Sequence, residues 1–362
     1  MEQVVNATTY DVITDNVSVI LVTSSNDSAS VDTAGCKLYR FIVESVVIGL
    51  LCVLGVTGNT MSFIVFRKDT LKTSTTFLFQ GLSITDSFLL VMAIPVYSVP
   101  SLMEYLGNEH FEYYVKPYIA AYVFPWLCIA QTAAIWVTVL VGVNRYISVC
   151  WPYHAQRWTN LAKARQYLTI VLLLSFLYNI PHFVTRSIKK ELNKYNETVP
   201  IMDENTNKTF EIIYYNICYT LIMLLLPLGL LVFLSHRLIR ALKALKAKRA
   251  SMQSQERQDS NVTFTLVIVL LVFTVCQAPA LLTQIFWSIL PDSQRLCGGF
   301  QHYYSRVSNA LVILNSAINF VLYAGTNKRF RTVLLTQVCH TKVHKANGTN
   351  HQTQLLTQAT QM

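Results

Sequence analysis

The 362-residue chain is strongly apolar, because 52% of its residues are hydrophobic and only 13% are charged. A soluble protein of this size needs more charge on its surface, so the composition predicts a membrane protein. The net charge of +10 comes from segments predicted to face the cytosol. It suits anionic lipid and an acidic protein partner, and it gives no support for nucleic-acid binding.

Residues 117 to 143 contain no Asp, Glu, Lys or Arg. A run of about 18 or more such residues is typical of a membrane-spanning helix, since lipid cannot satisfy unpaired backbone groups. Six further apolar runs resemble it, so the predicted fold is an all-α membrane protein with a seven-helix bundle. The spans are expected at about residues 41–66, 77–99, 117–149, 167–184, 212–234, 262–290 and 307–326.

The basic residues predict the orientation of these spans. The segments around residues 67–73, 145–166, 235–261 and 327–362 hold 19 Lys and Arg but three acids, so the positive-inside rule places them in the cytosol. The predicted protein crosses the plasma membrane several times, with an extracellular N-terminus (residues 1–37), a bundle at 38–326 and a cytosolic, disordered tail at 339–362. Glycosylation is expected at Asn6, Asn16, Asn26, Asn196 and Asn207.

Of the eight cysteines, only Cys36 and Cys297 face the oxidising side in this orientation. We predict that they form a disulfide that ties the N-terminal segment to the last outer loop. No cysteine spacing indicates a metal site. Cys339 follows a short amphipathic stretch on the cytosolic side and is a candidate for palmitoylation, with an unmodified thiol as the open alternative.

Asp86 lies near the middle of the second span, where a charge costs roughly 3 kcal/mol. The side chains that can face it across the bundle are Asn59, Asn315, Ser316 and Asn319. The functional interpretation is a bound sodium ion or a water cluster that changes between two packings of the bundle. The alternative is a protonated or hydrogen-bonded acid with a packing role.

Arg145 lies 28 residues beyond Pro117, which is about 42 Å along a helix. This length exceeds the hydrocarbon thickness, so the guanidinium is expected at the cytosolic interface. It can extend to lipid phosphates, or it can pair with Asp259 just ahead of the sixth span. An exposed pair of this kind is worth about 0 to 1 kcal/mol.

Taken in order, the motifs resemble those of the rhodopsin-like G-protein-coupled receptors over residues 38 to 335. The matches are GN at Gly58, LSITD, NRYISVCWP, Pro227, CQAP and NFVLY. CQAP, YNIPHF and NSAINFVLY are similar to the invertebrate FMRFamide-type receptors, with myosuppressin and thyrotropin-releasing-hormone receptors as more distant relatives. NKRFR resembles the start of an amphipathic eighth helix, which is expected at 327–338.

The resemblance also implies a conformational switch. The family carries an acid directly before this arginine, and Asn144 takes its place here. We therefore expect a weaker restraint of the inactive state and some ligand-independent signalling. Gln277 replaces the family's tryptophan, and Phe320 replaces a proline. The implied switch and sodium network comprises Asn59, Asp86, Asn144, Arg145, Asp259, Phe273, Gln277, Asn315, Ser316, Asn319 and Tyr323.

One covalent feature of the family is missing. The family links the outer end of the third span to the second outer loop through two cysteines. Ala120 stands at the first position, and residues 185 to 211 contain no Cys. That bridge cannot form.

The resemblance narrows the ligand class. Amine receptors carry an Asp where this chain has Leu127, so an amine is not expected. The outer segments, residues 1–40 and the loops near 100–116, 185–211 and 291–306, hold 14 Asp and Glu against 10 Lys and Arg. An amidated cationic peptide ending in Arg-Phe-amide is expected, steered by this acidic outer face. Its candidate contacts are Tyr97, Glu104, Gln131, Glu211, Tyr219, Gln284, Trp287 and Asn309. Solvated loop acids and aromatic interface anchors are the structural alternatives for these residues.

The expected partners are a heterotrimeric G protein, contacted by Arg145, Tyr153 and the basic extension 236–249, together with arrestin, a receptor kinase and membrane lipid. No cofactor is expected apart from an allosteric sodium ion. The alternative function is a receptor for another neuropeptide of the myosuppressin or thyrotropin-releasing-hormone type, and an ion-coupled transporter is a remote alternative. No enzyme activity is expected, because no paired carboxylates, His cluster or nucleophile–base spacing occurs in the spans.

Overall fold

The computed structural model describes residues 33–69, 73–192, 197–248 and 255–336. Several predictions lie outside these residues: the sites Asn6, Asn16, Asn26, Asn196 and Cys339 and the tail at 339–362. The Asp259 side chain is also outside the described part of the structure.

Six helices are each long and apolar enough to cross a membrane, and a helix pair bent by 46° makes a seventh span. These helices confirm the predicted bundle. They are numbered here as the first to seventh spans: Ala34–Lys68, Ser74–Tyr105, Phe111–Cys150, Leu161–Val184, Lys208–Ala241, Thr263–Ile289, and Phe300–Ala317 with Asn319–Thr326. The end that carries Cys36 is called the outer end, following the predicted orientation.

Polar caps set where two of the spans begin. The Thr73 hydroxyl accepts from the Thr76 backbone N–H at 3.2 Å, and the Thr76 hydroxyl accepts from the Thr73 N–H at 3.0 Å. Asn160 caps the fourth span by accepting from the Lys163 N–H at 2.8 Å. These reciprocal and single caps satisfy amide groups that the first helical turn leaves unpaired.

An apolar core fills the inner half of the bundle. Leu78, Val137, Leu231 and Leu266 of the second, third, fifth and sixth spans are fully buried there. Large apolar side chains on the outside of the bundle, such as Leu54, are exposed and suit contact with lipid acyl chains. The core therefore closes the inner end of the bundle.

The first and seventh spans approach closely through glycines. A Cβ on Gly55 would lie 2.7 Å from the Cβ of Ala317, and one on Gly58 would lie 2.8 Å from the Cβ of Phe320. Phe320 therefore packs over Gly58. The seventh span bends at Ile318, between its two helices, although it has no proline there.

Helices extend the bundle at its inner end. A short helix, Pro152–Trp158, follows the third span, and the helices Leu226–Lys248 and Gln255–Ile289 continue the fifth and sixth spans inward. Residues 328 to 336 are helical. The Asn327 side chain caps this segment by accepting from the Phe330 N–H at 3.1 Å, and Arg329 forms an ion pair with Asp69. The amphipathic character predicted for 327–338 stays a prediction.

A β-hairpin covers part of the outer end. Strand β1 (Arg186–Leu192) pairs antiparallel with β2 (Thr198–Glu204), in a register that runs from Arg186 opposite Glu204 to Leu192 opposite Thr198. The sequence predicts no strand here, because KKEL in β1 is largely polar and lacks the regular apolar alternation of a half-buried strand.

The outer halves of four spans contain π-helical turns. They occur at Phe41–Ile48, Ile94–Ser98, Phe111–Val115, Ile119–Val123, Glu211–Cys218 and Thr220–Leu225. Such turns are often found at functional sites, because they shift the direction of the side chains that follow.

Candidate functional site

A buried polar cluster joins three spans at the middle of the bundle. The Asn319 Nδ2 donates to Asp86 Oδ2 at 2.7 Å, and the Asn59 Nδ2 donates to the backbone oxygen of Ser316 at 2.9 Å. Asp86 is buried, while Asn315 is only partly buried. The structure thus brings Asp86 directly to Asn319, one of its four predicted partners, and links the first and seventh spans beside it.

The buried oxygen atoms on these spans that have no hydrogen-bond partner among the described residues include Asn59 Oδ1, Ser316 Oγ and Tyr323 OH. Buried polar atoms of this kind are usually satisfied by a water or an ion. Together with the Asp86 carboxylate they are oxygen donors, which suit a hard cation such as sodium. Sodium binding at Asp86 stays a prediction.

Arg145 has an uncharged neighbour that contacts another span. The Asn144 Nδ2 donates to Thr75 Oγ1 at 3.0 Å and lies 3.4 Å from Ser74 Oγ. Asn144 is buried and Arg145 is partly buried. The third span is therefore held to the second span by amide–hydroxyl hydrogen bonds at the place where the family carries an acid.

Two other predicted switch residues are buried on the sixth span. Phe273 belongs to the inner apolar core. The Gln277 Oε1 is buried and has no hydrogen-bond partner among the described residues. A polar side chain thus replaces the family's aromatic ring, and its carbonyl oxygen gains no hydrogen bond from the described residues. On the inner side, Tyr153 is almost fully exposed and accessible to a partner protein.

Three of the predicted ligand contacts line one cavity. Tyr97, Gln131 and Asn309 meet there from the second, third and seventh spans, and the remaining wall is apolar: Leu89, Leu127, Val312 and Ile313. Tyr219 of the fifth span lies beside Gln131 but does not line this cavity. The cavity volume of about 10 Å³ has room for roughly one water molecule. The site is narrow, uncharged and rich in carboxamides.

Two predicted contacts on the sixth span make other bonds. The Gln284 Nε2 donates to the Tyr215 backbone oxygen and to Asn216 Oδ1, both at 3.2 Å, and so joins the fifth and sixth spans. Trp287 is covered by Arg295, whose guanidinium carbon lies 4.1 Å from the ring centroid. Neither side chain lines the cavity described above.

The two predicted carboxylates are also engaged. Glu211 Oε1 accepts from the Thr206 hydroxyl at 2.6 Å. Glu104 forms an ion pair with Arg40, which also binds Glu44 at 2.7 Å. Glu44 in turn lies 3.5 Å from the Nε of Arg306.

These four residues, Arg40, Glu44, Glu104 and Arg306, are called the outer ion cluster. It joins the first, second and seventh spans. Sequence reasoning missed three of its members. The signal available for two of them was the spacing of Arg40 and Glu44, four residues apart on one helix face.

The hairpin is anchored where the family's disulfide is missing. The Arg186 Nη1 donates to the Ala120 backbone oxygen at 3.1 Å, and its guanidinium lies 4.3 Å from the centroid of Phe124. Arg186 Nε is 3.8 Å from Glu204 Oε1, on the opposite strand. Met202 of β2 packs on Ala120 and its neighbour Ala121. A buried arginine and an apolar contact thus hold the loop to the third span.

The predicted disulfide is confirmed. Cys36 and Cys297 are bonded, with their Cα atoms 6.0 Å apart. Near the bond, Cys36 Sγ lies 3.5 Å from His302 Nε2. The disulfide attaches the start of the first span to the loop before the seventh. At the fifth span, the predicted glycosylation site Asn207 caps the helix by accepting from the Phe210 N–H at 2.8 Å.

The sequence model of the family described as 7 transmembrane receptor (rhodopsin family) matches residues 58–323. Because this match covers more than half of the chain, the protein belongs to that family and is a multi-pass membrane protein. Membership of the family indicates a receptor rather than an enzyme. The transporter alternative has no support.

The chain is also similar to individual peptide receptors. It is 28% identical over 301 residues to the FMRFamide receptor of Drosophila melanogaster, a match that covers 82% of this chain and 54% of the relative. It is 26% identical over 290 residues to the FMRFamide peptide receptor frpr-18 of Caenorhabditis elegans, covering 79% and 67%. Neuromedin-U receptor 2 of Mus musculus is 24% identical over 318 residues, covering 84% and 78%. The match thus spans only about half of the Drosophila receptor.

Proposed function

We propose that this chain is a plasma-membrane receptor for an amidated neuropeptide of the FMRFamide type and that it activates a heterotrimeric G protein. The similar receptors from Drosophila and C. elegans described above are both named as FMRFamide receptors, which supports this ligand class. In this proposal the N-terminus is extracellular and the tail is cytosolic, as the distribution of basic residues favours.

The cavity between Tyr97, Gln131 and Asn309 is the observation that carries the proposal. Its polar lining offers carboxamide and phenol groups, which can both donate to and accept from a peptide's C-terminal amide. No basic side chain lines it. A free carboxylate would therefore lose its water without gaining a counter-charge, which is costly in a buried site.

The small volume of the cavity means that the spans must separate at the outer end when a peptide enters. This conformational change is then transmitted inward along the third span to Arg145 and along the seventh span to Asn319 and Asp86. Arg145 and Tyr153 are the proposed contacts for the G protein. Arrestin and a receptor kinase are proposed as further cytosolic partners.

Competition binding tests this proposal. Membranes from cells that express the full chain are incubated with a labelled peptide ending in Arg-Phe-amide, and two unlabelled competitors are compared: the same peptide as an amide and as a free acid. We expect the free acid to bind at least about 100-fold more weakly, because a carboxylate is desolvated without a counter-charge. Equal affinity of the two competitors, or no specific binding, contradicts the proposal.

A further inference from the structure

The outer ion cluster is buried at its inner end and, counted over the described residues, balanced in charge. Arg40 binds Glu44 at 2.7 Å and also pairs with Glu104, while Arg306 Nε lies 3.5 Å from Glu44 Oε1. Two guanidinium groups thus face two carboxylates. Carboxylates held this deeply in the protein need a cation beside them, since an unpaired buried charge is strongly unfavourable.

Exposure divides the cluster into an inner and an outer pair. The side chains of Glu44 and Arg306 are 4% and 3% exposed, whereas those of Arg40 and Glu104 are 12% and 22% exposed. The inner pair also has a further bond, because Arg306 Nη1 donates to the His302 backbone oxygen at 2.6 Å. Only the outer pair can be reached by a molecule that enters from the outer end.

The outer pair stands at a suitable distance from the cavity. Glu104 lies seven residues beyond Tyr97 on the second span, which is roughly 10 Å along the helix axis. A peptide whose terminal Phe-amide enters the cavity places its preceding residue about 3.5 Å further out. If that residue is arginine, its long side chain spans the remaining distance to Glu104.

We propose that Arg40 is an internal competitor for the ligand's arginine: it occupies the Glu104 carboxylate in the free receptor and is displaced from it when the peptide binds. This inference rests on the proposed function. A guanidinium replaces a guanidinium, so the carboxylate keeps a planar donor group that matches its geometry.

The test compares two receptor variants with two peptides. Arg40→Gln removes the competitor. Lys116→Gln is the matched control, because Lys116 pairs with Glu112 at 2.6 Å with side-chain exposures of 11% and 26%, and its removal changes the outer charge equally. The peptides end in Arg-Phe-amide or in citrulline-Phe-amide, where citrulline is an uncharged analogue of arginine. The half-maximal concentration for signalling is measured in cells at matched surface expression.

We expect Arg40→Gln to lower the half-maximal concentration of the arginine peptide by about tenfold and to leave that of the citrulline peptide within about twofold of wild type. Lys116→Gln changes the half-maximal concentrations of both peptides equally. Glu104→Gln raises the half-maximal concentration of the arginine peptide by about tenfold and removes its advantage over the citrulline peptide. Arg40→Lys, which keeps the charge but loses the paired donors, gives an intermediate shift and serves if Arg40→Gln does not reach the surface.

Two kinds of failure are distinguishable. In the first kind, the wild type responds to the arginine peptide, but Arg40→Gln and Lys116→Gln change its half-maximal concentration equally, or Arg40→Gln changes the half-maximal concentrations of both peptides equally. The inference is then wrong and the proposed function stands. If the wild type, present at the surface, responds to no peptide ending in Arg-Phe-amide, the proposed function is wrong and the inference with it.

Discussion

Asn144 shows how a single uncharged side chain alters the region around Arg145. Its amide donates to Thr75 Oγ1 at 3.0 Å, so it holds the second span instead of offering a charge to the arginine beside it. A carboxylate at this position would attract the guanidinium of Arg145 and could still accept a hydrogen bond from Thr75. The present arrangement therefore lacks one electrostatic restraint on Arg145.

At the scale of this residue, we predict that Asn144→Asp lowers ligand-independent signalling by about fivefold. The reason is that a partly exposed ion pair stabilises the inactive arrangement by up to about 1 kcal/mol. Basal second-messenger levels at matched surface expression provide the measurement. Asn144→Ala, which adds no charge, is the control and should not fall below wild type. Unchanged basal signalling in Asn144→Asp would show that the neighbouring charge has no such role.

At the scale of elements, the hairpin depends on one buried side chain. Arg186 contacts the third span through Ala120 and Phe124, and it contacts β2 through Glu204. The Tyr215 hydroxyl donates to the same Glu204 carboxylate, which links the fifth span to this anchor. Removing the guanidinium takes away the cation that lies 3.8 Å from the largely buried Glu204 carboxylate.

We predict that Arg186→Gln destabilises the receptor by about 3 kcal/mol, the typical cost of breaking a buried ion pair by removing one partner. The melting temperature of the purified protein in detergent measures this loss. Lys189→Gln is the control within the same hairpin: Lys189 pairs with Asp203, but its side chain is 60% exposed, so its loss costs about 0 to 1 kcal/mol. If the two variants have the same melting temperature, Arg186 does not anchor the hairpin.

The contact between the first and seventh spans gives a second prediction for elements. We expect Gly55→Ala to lower the melting temperature clearly, because the new Cβ would lie 2.8 Å from the backbone Cα of Ala317, which cannot move without shifting a span. Gly325→Ala is the control, since its added Cβ meets no atom within 4 Å among the described residues beyond its own helical turn. A Gly55→Ala protein as stable as Gly325→Ala would mean that the two spans are not packed this closely.

At the scale of the whole molecule, three features attach the first span to the rest of the bundle. The Cys36–Cys297 disulfide and the outer ion cluster hold its outer end, and the hydrogen bond from Asn59 to Ser316 holds its middle. The cavity proposed for the ligand has room for roughly one water molecule. Under the proposed function, the outer end must therefore open for a peptide to enter.

The sequence predicts those features that depend on local composition or on residue type. Long uncharged runs identify the spans, and the positions of two outer cysteines identify the disulfide. Asp86 and Asn319 are recognisable as partners because a buried acid needs a donor. In contrast, the contacts of Arg186 and Arg40 depend on how helices and strands meet in space. Arg40 and Glu104 are polar residues at helix ends, where sequence alone cannot distinguish a solvated charge from a buried ion pair.

The most direct test of the receptor function is a signalling panel. The full chain and its Arg145→Ala variant are expressed with a promiscuous G protein, and calcium responses are recorded for peptides ending in Arg-Phe-amide or Arg-Tyr-amide and for amines. We predict a sub-micromolar response that is confined to the Arg-Phe-amide peptides and absent in Arg145→Ala. Silence toward all amidated peptides at confirmed surface expression, or an equal response to amines, would contradict the account.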